Sequence, residues 1–330
     1  MDPVTDLQSL QKADDLWFPS DLVILRAGNR IFRVFAAILK EKSSVFADMF
    51  SFPQPASGSE VETMDGTPVV RLHDDPRELE AVLKAIFDSN FFMPHPATAL
   101  VGDIVGVLRL SHKYDIPFLR RRALEHMEYL FPTSLTAYKE RRRASLETPN
   151  DPNPEFAPSV APILAWVKVA VEVDAIWLLP AAYYDACAYG IEKILAAGPT
   201  WDALGETEKT AFIVGHSTQI QDFAEMRNFL ALAVDDESDC EDWNSCNMSR
   251  LDAIRNYEGQ SSFCDPLNPW KAEDFDWLVS GTGLCSSCFD ASRAPYEAAQ
   301  KRFWNRLPEM FGLSGWSELE KLRDAALSAS

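Results

Sequence analysis

The sequence predicts an α+β domain in the first part of the chain and a mostly α-helical region in the rest. Two apolar runs joined by turn-forming residues at positions 22–35 are typical of a β-hairpin. Apolar residues at helical spacing recur through most of the later chain. A stretch at 146–162 contains five prolines, which would interrupt a helix, and it therefore separates the two regions.

The hairpin consists of a first strand at 22–25, the turn residues Gly28-Asn29, which tolerate a positive φ, and a returning strand at 31–35. Two short helices are expected next, within 36–50. One residue of the Ser43-Ser44 pair stands where the N-cap of the second helix belongs.

A third strand is expected at 69–72. Asp74 or Asp75 can cap the helix that follows, with Pro76 at its first position, where proline is favoured. Two further helices are predicted, one over 102–114 and one from Pro117 onward.

Helical spacing of apolar residues continues beyond the proline-rich stretch. The predicted helices lie at 163–174, 177–195, 207–219, 222–234 and 293–307.

Composition limits the classes of function. The chain has 330 residues and a net charge of -19, and this charge opposes direct binding to nucleic-acid phosphates. No apolar run approaches the length that spans a membrane. The acidic N-terminus lacks the apolar segment of a secretory signal, so we expect an intracellular protein, cytoplasmic or nuclear, with reduced cysteines.

Five of the six cysteines lie in the last hundred residues. Cys285 and Cys288 follow a turn-forming glycine with two residues between them, as at the start of a zinc knuckle. Cys240 and Cys246 can complete a tetrahedral structural Zn²⁺ site, with Cys264 as a substitute ligand. Buried free thiols beside packed aromatics are an alternative, and disulfides are another.

Residues 17–131 resemble a BTB/POZ domain, and the version here is similar to that of fungal BTB proteins. The resemblance rests on the segments 43–50 (SSVFADMF), 70–87 and 108–124, in addition to the hairpin. It departs from the family at Phe35-Ala36, where the family has a histidine and a basic residue. The helical region at 163–234 is similar to the BACK-like extension that follows many BTB domains.

The BTB resemblance implies a non-catalytic protein–protein interaction module. Such modules oligomerise or act as ubiquitin-ligase substrate adaptors or transcriptional regulators, so the implied partners are a second copy or a cullin-type ligase. In many family members an acid of the first strand and the base after the histidine contribute to a charged pocket at the dimer interface. The candidate interaction residues are Asp21, Phe35, Ala36 and Leu39. Because Ala36 replaces the base, this charged pocket is expected to be absent.

An enzyme or redox protein that uses Cys285 and Cys288 is the alternative function. A thioredoxin-like motif needs a strand before Cys-x-x-Cys, which the preceding sequence does not predict. The predicted organisation is an N-terminal arm (1–14), the BTB/POZ domain (15–131), a helix end and linker (132–162), a BACK-like region (163–234) and a cysteine-containing C-terminal region (235–330).

Overall fold

The computed structural model describes residues 21–51, 62–147, 159–226, 240–258, 265–267 and 283–328. These residues form two compact units. The first unit holds the residues up to Met93 together with Gly106–Arg120, and the second holds Pro94–Val105 together with the residues from Arg121 onward. The predicted N-terminal arm and most of the proline-rich stretch lie outside the described residues.

The first unit contains a small mixed sheet. Its strands are β1 (Leu22–Ala27), β2 (Arg30–Phe35), β3 (Thr63–Met64) and β4 (Thr67–Leu72). The order in the sheet is β2-β1-β4-β3, with β1 antiparallel to β2 and parallel to β4. The predicted hairpin is confirmed, and Gly28 in its turn has a φ of 54°, in the left-handed region that favours glycine. The sequence did not predict β3, because a strand of two residues carries no alternation of polar and apolar side chains.

The helices of this part of the chain are α1 (Ala36–Lys42), α2 (Ser44–Ser51), α3 (Pro76–Phe87), α4 (Val101–Lys113) and α5 (Pro117–Leu130), of which α4 and α5 are each divided between the two units. The helices α1 and α2 form the crossover that a parallel β1–β4 pair requires. Two predicted caps are confirmed. The Ser43 hydroxyl accepts a hydrogen bond from the Phe46 backbone N–H, and Asp75 accepts one from Arg77 at the start of α3.

The core of the first unit is formed by β1 and by α1, α2 and α3. Leu25, Leu39, Phe46 and Leu79 are completely buried. The ring of Phe46 stacks on that of Tyr114, with centroids 4.5 Å apart, and Tyr114 is itself buried. Residues from one strand and three helices, with Tyr114 directly after α4, thus converge on one apolar interior.

The described part of the second unit is helical beyond α5. Its elements are α6 (Leu135–Glu147), α7 (Ala161–Glu172), a 3-10 turn (Ile176–Leu178), α8 (Leu179–Cys187), α9 (Ile191–Leu195), α10 (Pro199–Asp202), α11 (Glu206–Met226), α12 (Trp243–Glu258), α13 (Ser286–Met310) and α14 (Trp316–Ser328). The helix α8 is central, since it packs against α7, α11 and α13. Its residues are buried on nearly all faces, as expected for a helix that is apolar all round.

Two helix predictions in this region need correction. The segment 177–195 was expected to be one helix, but it is divided between the 3-10 turn, α8 and α9, because Gly190 has a φ of 88°. The two helices expected at 207–219 and 222–234 are one continuous helix, α11, as far as Met226. The residues that follow lie outside the described part of the chain. None of the described helices has the length and apolar character needed to cross a membrane.

Candidate metal centre and interaction surface

The four cysteines predicted to bind zinc converge in the second unit. The Sγ atoms of Cys240, Cys246, Cys285 and Cys288 all lie within 4.8 Å of one another. The Sγ of Cys240 is 3.4 Å from that of Cys288 and 3.9 Å from that of Cys285. All four are free thiols in the structure. Cys264, the predicted substitute ligand, lies outside the described residues.

The starts of two helices position these sulfurs. Cys246 lies in the first turns of α12, whose N-terminus is capped by Asp242 accepting a hydrogen bond from the Ser245 backbone N–H at 3.1 Å. Cys285 is the N-cap of α13, and Cys288 lies in the first turn of the same helix. A two-residue spacing across a helix start therefore directs both sulfurs of Cys-x-x-Cys to one side.

Backbone N–H groups also point at the sulfurs. The N–H of Cys285 donates to the Sγ of Cys246, with the nitrogen 3.4 Å from the sulfur. The backbone N–H groups of Cys288 and Glu241 hydrogen-bond to the Cys285 sulfur and lower the pKa of that thiol to about 6. Burial has the opposite effect at Cys288, where it raises the pKa to about 12. The cluster thus combines one stabilised thiolate with buried thiols.

The donor set and its spacing fit Zn²⁺. Four sulfurs about 2.3 Å from a tetrahedral ion are separated by about 3.8 Å, close to the two sulfur–sulfur distances given above. Four cysteines fill all coordination positions, so a bound zinc would have no open position for water or substrate. The arrangement suits a structural site and not a catalytic one.

The candidate interaction residues of the first unit differ in their environment. Asp21 forms an ion pair with Lys40, with the Nζ of Lys40 3.0 Å from Oδ2 of Asp21. Lys40 lies one helical turn after Ala36 on α1. A basic side chain therefore pairs with Asp21, although position 36 itself holds no base. The absence of the charged pocket at a dimer interface stays a prediction, whereas Asp21 has a basic partner within the chain. The sequence carried a signal for this, since residues four apart on a helix share a face.

The remaining three interaction residues divide into buried and exposed ones. Ala36 and Leu39 are buried and contribute to the core of the first unit rather than to an exposed surface. Phe35 is 49% exposed at the end of β2, and Ile31 on the same strand is 52% exposed. Because alternate residues of a strand share a face, these two side chains lie on the same side of the sheet.

A buried polar cluster on α6 and α8 was missed by sequence reasoning. The guanidinium of Arg141 pairs with Asp185 at 2.7 Å and also donates to the Leu130 carbonyl oxygen. The Tyr138 hydroxyl donates to the other oxygen of Asp185 at 2.7 Å. Burial raises the pKa of Tyr138 well above its usual value, so the phenol keeps the proton that it donates.

The same cluster anchors the short described segment at 265–267. Asp265 accepts hydrogen bonds from Arg142 at 2.7 Å and from the Tyr184 hydroxyl at 2.5 Å. The backbone N–H of Leu267 donates to that hydroxyl at 2.9 Å. The run of arginines at 141–143 is typical of a solvated helix face, but Arg141 is buried and Arg142 is only partly exposed.

Comparison with known families concerns the first part of the chain. Residues 10–130 match the model of the BTB/POZ domain. The match covers β1 to β4 and α1 to α5. No curated protein and no solved structure matches the chain. The likeness to fungal BTB proteins and to a BACK-like extension stays a prediction.

Proposed function

We propose that this chain, which contains a BTB/POZ domain, is a non-catalytic scaffold that joins protein partners and carries one structural zinc ion in its helical region. A BTB/POZ domain is a protein–protein interaction module, and the match to it over residues 10–130 carries the first half of the proposal. The proposed partners are a second copy of the chain or a cullin-type ubiquitin ligase, with the chain as its substrate adaptor. Transcriptional regulation by a corepressor-type partner is the competing role.

The exposed strand β2 supports a binding role for the first unit. Among the described residues, β2 pairs only with β1, so its outer edge presents unpaired backbone groups. Exposed edges that also carry large apolar side chains are typical of interaction sites, and β2 presents Ile31 and Phe35 there. The net charge of -19 favours protein partners over direct contact with DNA or RNA.

A pair of substitutions tests the interaction proposal. The full chain carrying Ile31→Asp with Phe35→Asp is expected to lose its partners in affinity purification from its native cells and to lose any self-association seen by light scattering. Both side chains are about half exposed, so the charges remain solvated and the fold is retained.

Met64→Asp is the matched control for this experiment. Met64 is 47% exposed on β3, at the opposite edge of the sheet, and its replacement is expected to leave binding unchanged. Partner binding that survives the double substitution, or that is lost equally in the control, would contradict a role for β2. Recovery of cullin subunits supports the adaptor role, and recovery of a corepressor favours the competing one.

The zinc proposal is supported by the convergence of four sulfurs from two chain segments. Cys240 and Cys246 are separated from Cys285 and Cys288 by 39 residues or more, yet their sulfurs lie together. A metal bound there would tie the start of α12 to the start of α13. A thiolate site of this kind persists in a reducing compartment, in agreement with a cytoplasmic or nuclear location.

Metal content is the direct test of the zinc proposal. Protein purified without added metal is expected to contain one zinc per chain, and Cys285→Ser is expected to lose it, because three sulfurs and a hydroxyl bind zinc far more weakly. The matched control is Cys187→Ala, since Cys187 is also buried but lies on α8 beside the Phe212 carbonyl and outside the cluster. A wild-type protein without zinc, or a Cys285→Ser protein that keeps it, is incompatible with the site.

A further inference from the structure

We propose that the four-cysteine cluster is also an oxidation site, at which peroxide converts Cys240 and Cys288 into a disulfide and displaces the metal. This inference rests on the zinc site proposed above and adds a means of regulating it. The ligand class is a hydroperoxide, with hydrogen peroxide as the simplest member.

The spacing of the sulfurs favours this pair. The Sγ atoms of Cys240 and Cys288 are 3.4 Å apart, the shorter of the two distances from Cys240 to the pair on α13. A disulfide bond is about 2.05 Å long, so the two sulfurs need to approach by little more than about 1.3 Å. Cys288 is held in the first turn of α13, whereas Cys240 lies outside any helix, three residues before α12. Cys240 is therefore the member of the pair whose backbone has more freedom to move.

The solvent exposure of the four cysteines indicates which sulfur hydrogen peroxide reaches first. Cys246 and Cys288 are 4% and 1% exposed, whereas Cys240 and Cys285 are partly exposed. Cys240 is partly exposed, and its Sγ is 3.4 Å from that of buried Cys288. We therefore assign Cys240 as the sulfur that attacks the peroxide and Cys288 as the resolving thiol beside it.

The chemistry balances in two steps. The Cys240 thiolate attacks one oxygen of hydrogen peroxide, the O–O bond breaks, and the released hydroxide takes a proton to become water, leaving a sulfenic acid on Cys240. The Cys288 thiol then gives up its proton and attacks that sulfur to form the S–S bond, and the hydroxide that leaves is protonated to water. Two electrons pass from the sulfurs to the peroxide.

Oxidation is expected to weaken the link between the start of α12 and the start of α13. After oxidation only Cys246 and Cys285 remain as thiolate ligands, too few to hold the ion that four held before. Cys246 then keeps the hydrogen bond from the Cys285 N–H but no longer shares a metal with α13. Oxidation therefore replaces a junction of four metal ligands between the starts of α12 and α13 with one disulfide, formed by Cys240, three residues before α12.

The experiment treats the purified full chain with hydrogen peroxide and follows two quantities. Zinc release is measured with a chromogenic chelator, and the disulfides are mapped by mass spectrometry of peptides prepared without reductant. We expect release of the whole zinc complement together with a peptide pair joining Cys240 to Cys288. Reductant with added zinc is expected to restore both the metal and the free thiols, and Cys187→Ala is expected to behave like the wild type.

The two proposals fail in different ways in this experiment. Protein that contains no zinc before treatment contradicts the metal site, and the disulfide map still decides whether the oxidation site exists. Zinc-loaded protein that keeps its metal under peroxide overturns the oxidation proposal and leaves the metal site standing. A map dominated by another pairing, by Cys264 or by irreversible sulfinic acid at Cys285 overturns it as well.

Discussion

Replacement of Leu39 by aspartate is expected to unfold the first unit. Leu39 lies on α1 with no exposed surface, so a carboxylate there would be buried without a partner. The cost of burying an unpaired charge is several kcal/mol, on the order of the whole stability of a domain of this size. Phe46→Asp is expected to have the same effect, because the Phe46 ring on α2 is also fully buried and stacks on Tyr114.

Thermal unfolding followed by circular dichroism, combined with limited proteolysis and mapping of the cleavage sites, measures this effect. New cleavage within residues 21–120 is expected in Leu39→Asp and not in Ile31→Asp, which places the same charge on a side chain that is 52% exposed. Protease resistance and an unchanged melting curve in Leu39→Asp would show that the helix phase assigned to α1 is wrong.

Much of the first unit could be predicted from the sequence because its signals are local. The hairpin follows from turn residues between two apolar runs, and the caps at Ser43 and Asp75 follow from residue type and position. The partner of Asp21 was harder to predict. The comparison of position 36 with the family pattern indicated a missing base, whereas the structure supplies Lys40 one turn later.

The cysteine cluster could be predicted from the sequence, whereas the buried polar cluster could not. Cys285 and Cys288 carry a local motif, and only three further cysteines of the C-terminal region could complete the set, of which the structure brings Cys240 and Cys246 to them. Arg141 and Arg142 carry no such motif. Their partners Asp185 and Asp265 lie 44 and 123 residues away in the sequence, and a run of arginines on one helix indicates a solvated face unless those partners are known.

The substitution Asp185→Asn keeps the shape of the side chain but removes its charge. Among substitutions of this kind in the second unit, we expect it to lower the free energy of unfolding most. The side chains of Arg141 and Asp185 are only 8% and 14% exposed. Removing the carboxylate charge leaves the guanidinium buried against the Leu130 carbonyl and the Tyr138 ring, whose centroid lies 4.7 Å away. Breaking a buried ion pair in this way costs about 3–5 kcal/mol.

The matched control is Glu172→Gln, the same acid-to-amide change at an exposed pair. Glu172 pairs with Lys168 on α7 at 2.9 Å, but the two side chains are 34% and 39% exposed. Surface pairs of this kind contribute at most about 1 kcal/mol, because solvent already screens both charges. The comparison therefore isolates burial as the variable.

Urea unfolding followed by tryptophan fluorescence reports on the second unit, since eight of the nine tryptophans lie beyond residue 120. We expect a clearly lower midpoint for Asp185→Asn at an unchanged slope, and a midpoint near that of the wild type for Glu172→Gln. Equal, small shifts in the two variants would mean that the Arg141–Asp185 pair is solvated in solution. In that case α6 and α8 would be joined by the apolar contacts of Tyr138 and Tyr184, whose ring centroids are 5.7 Å apart, and not by charge.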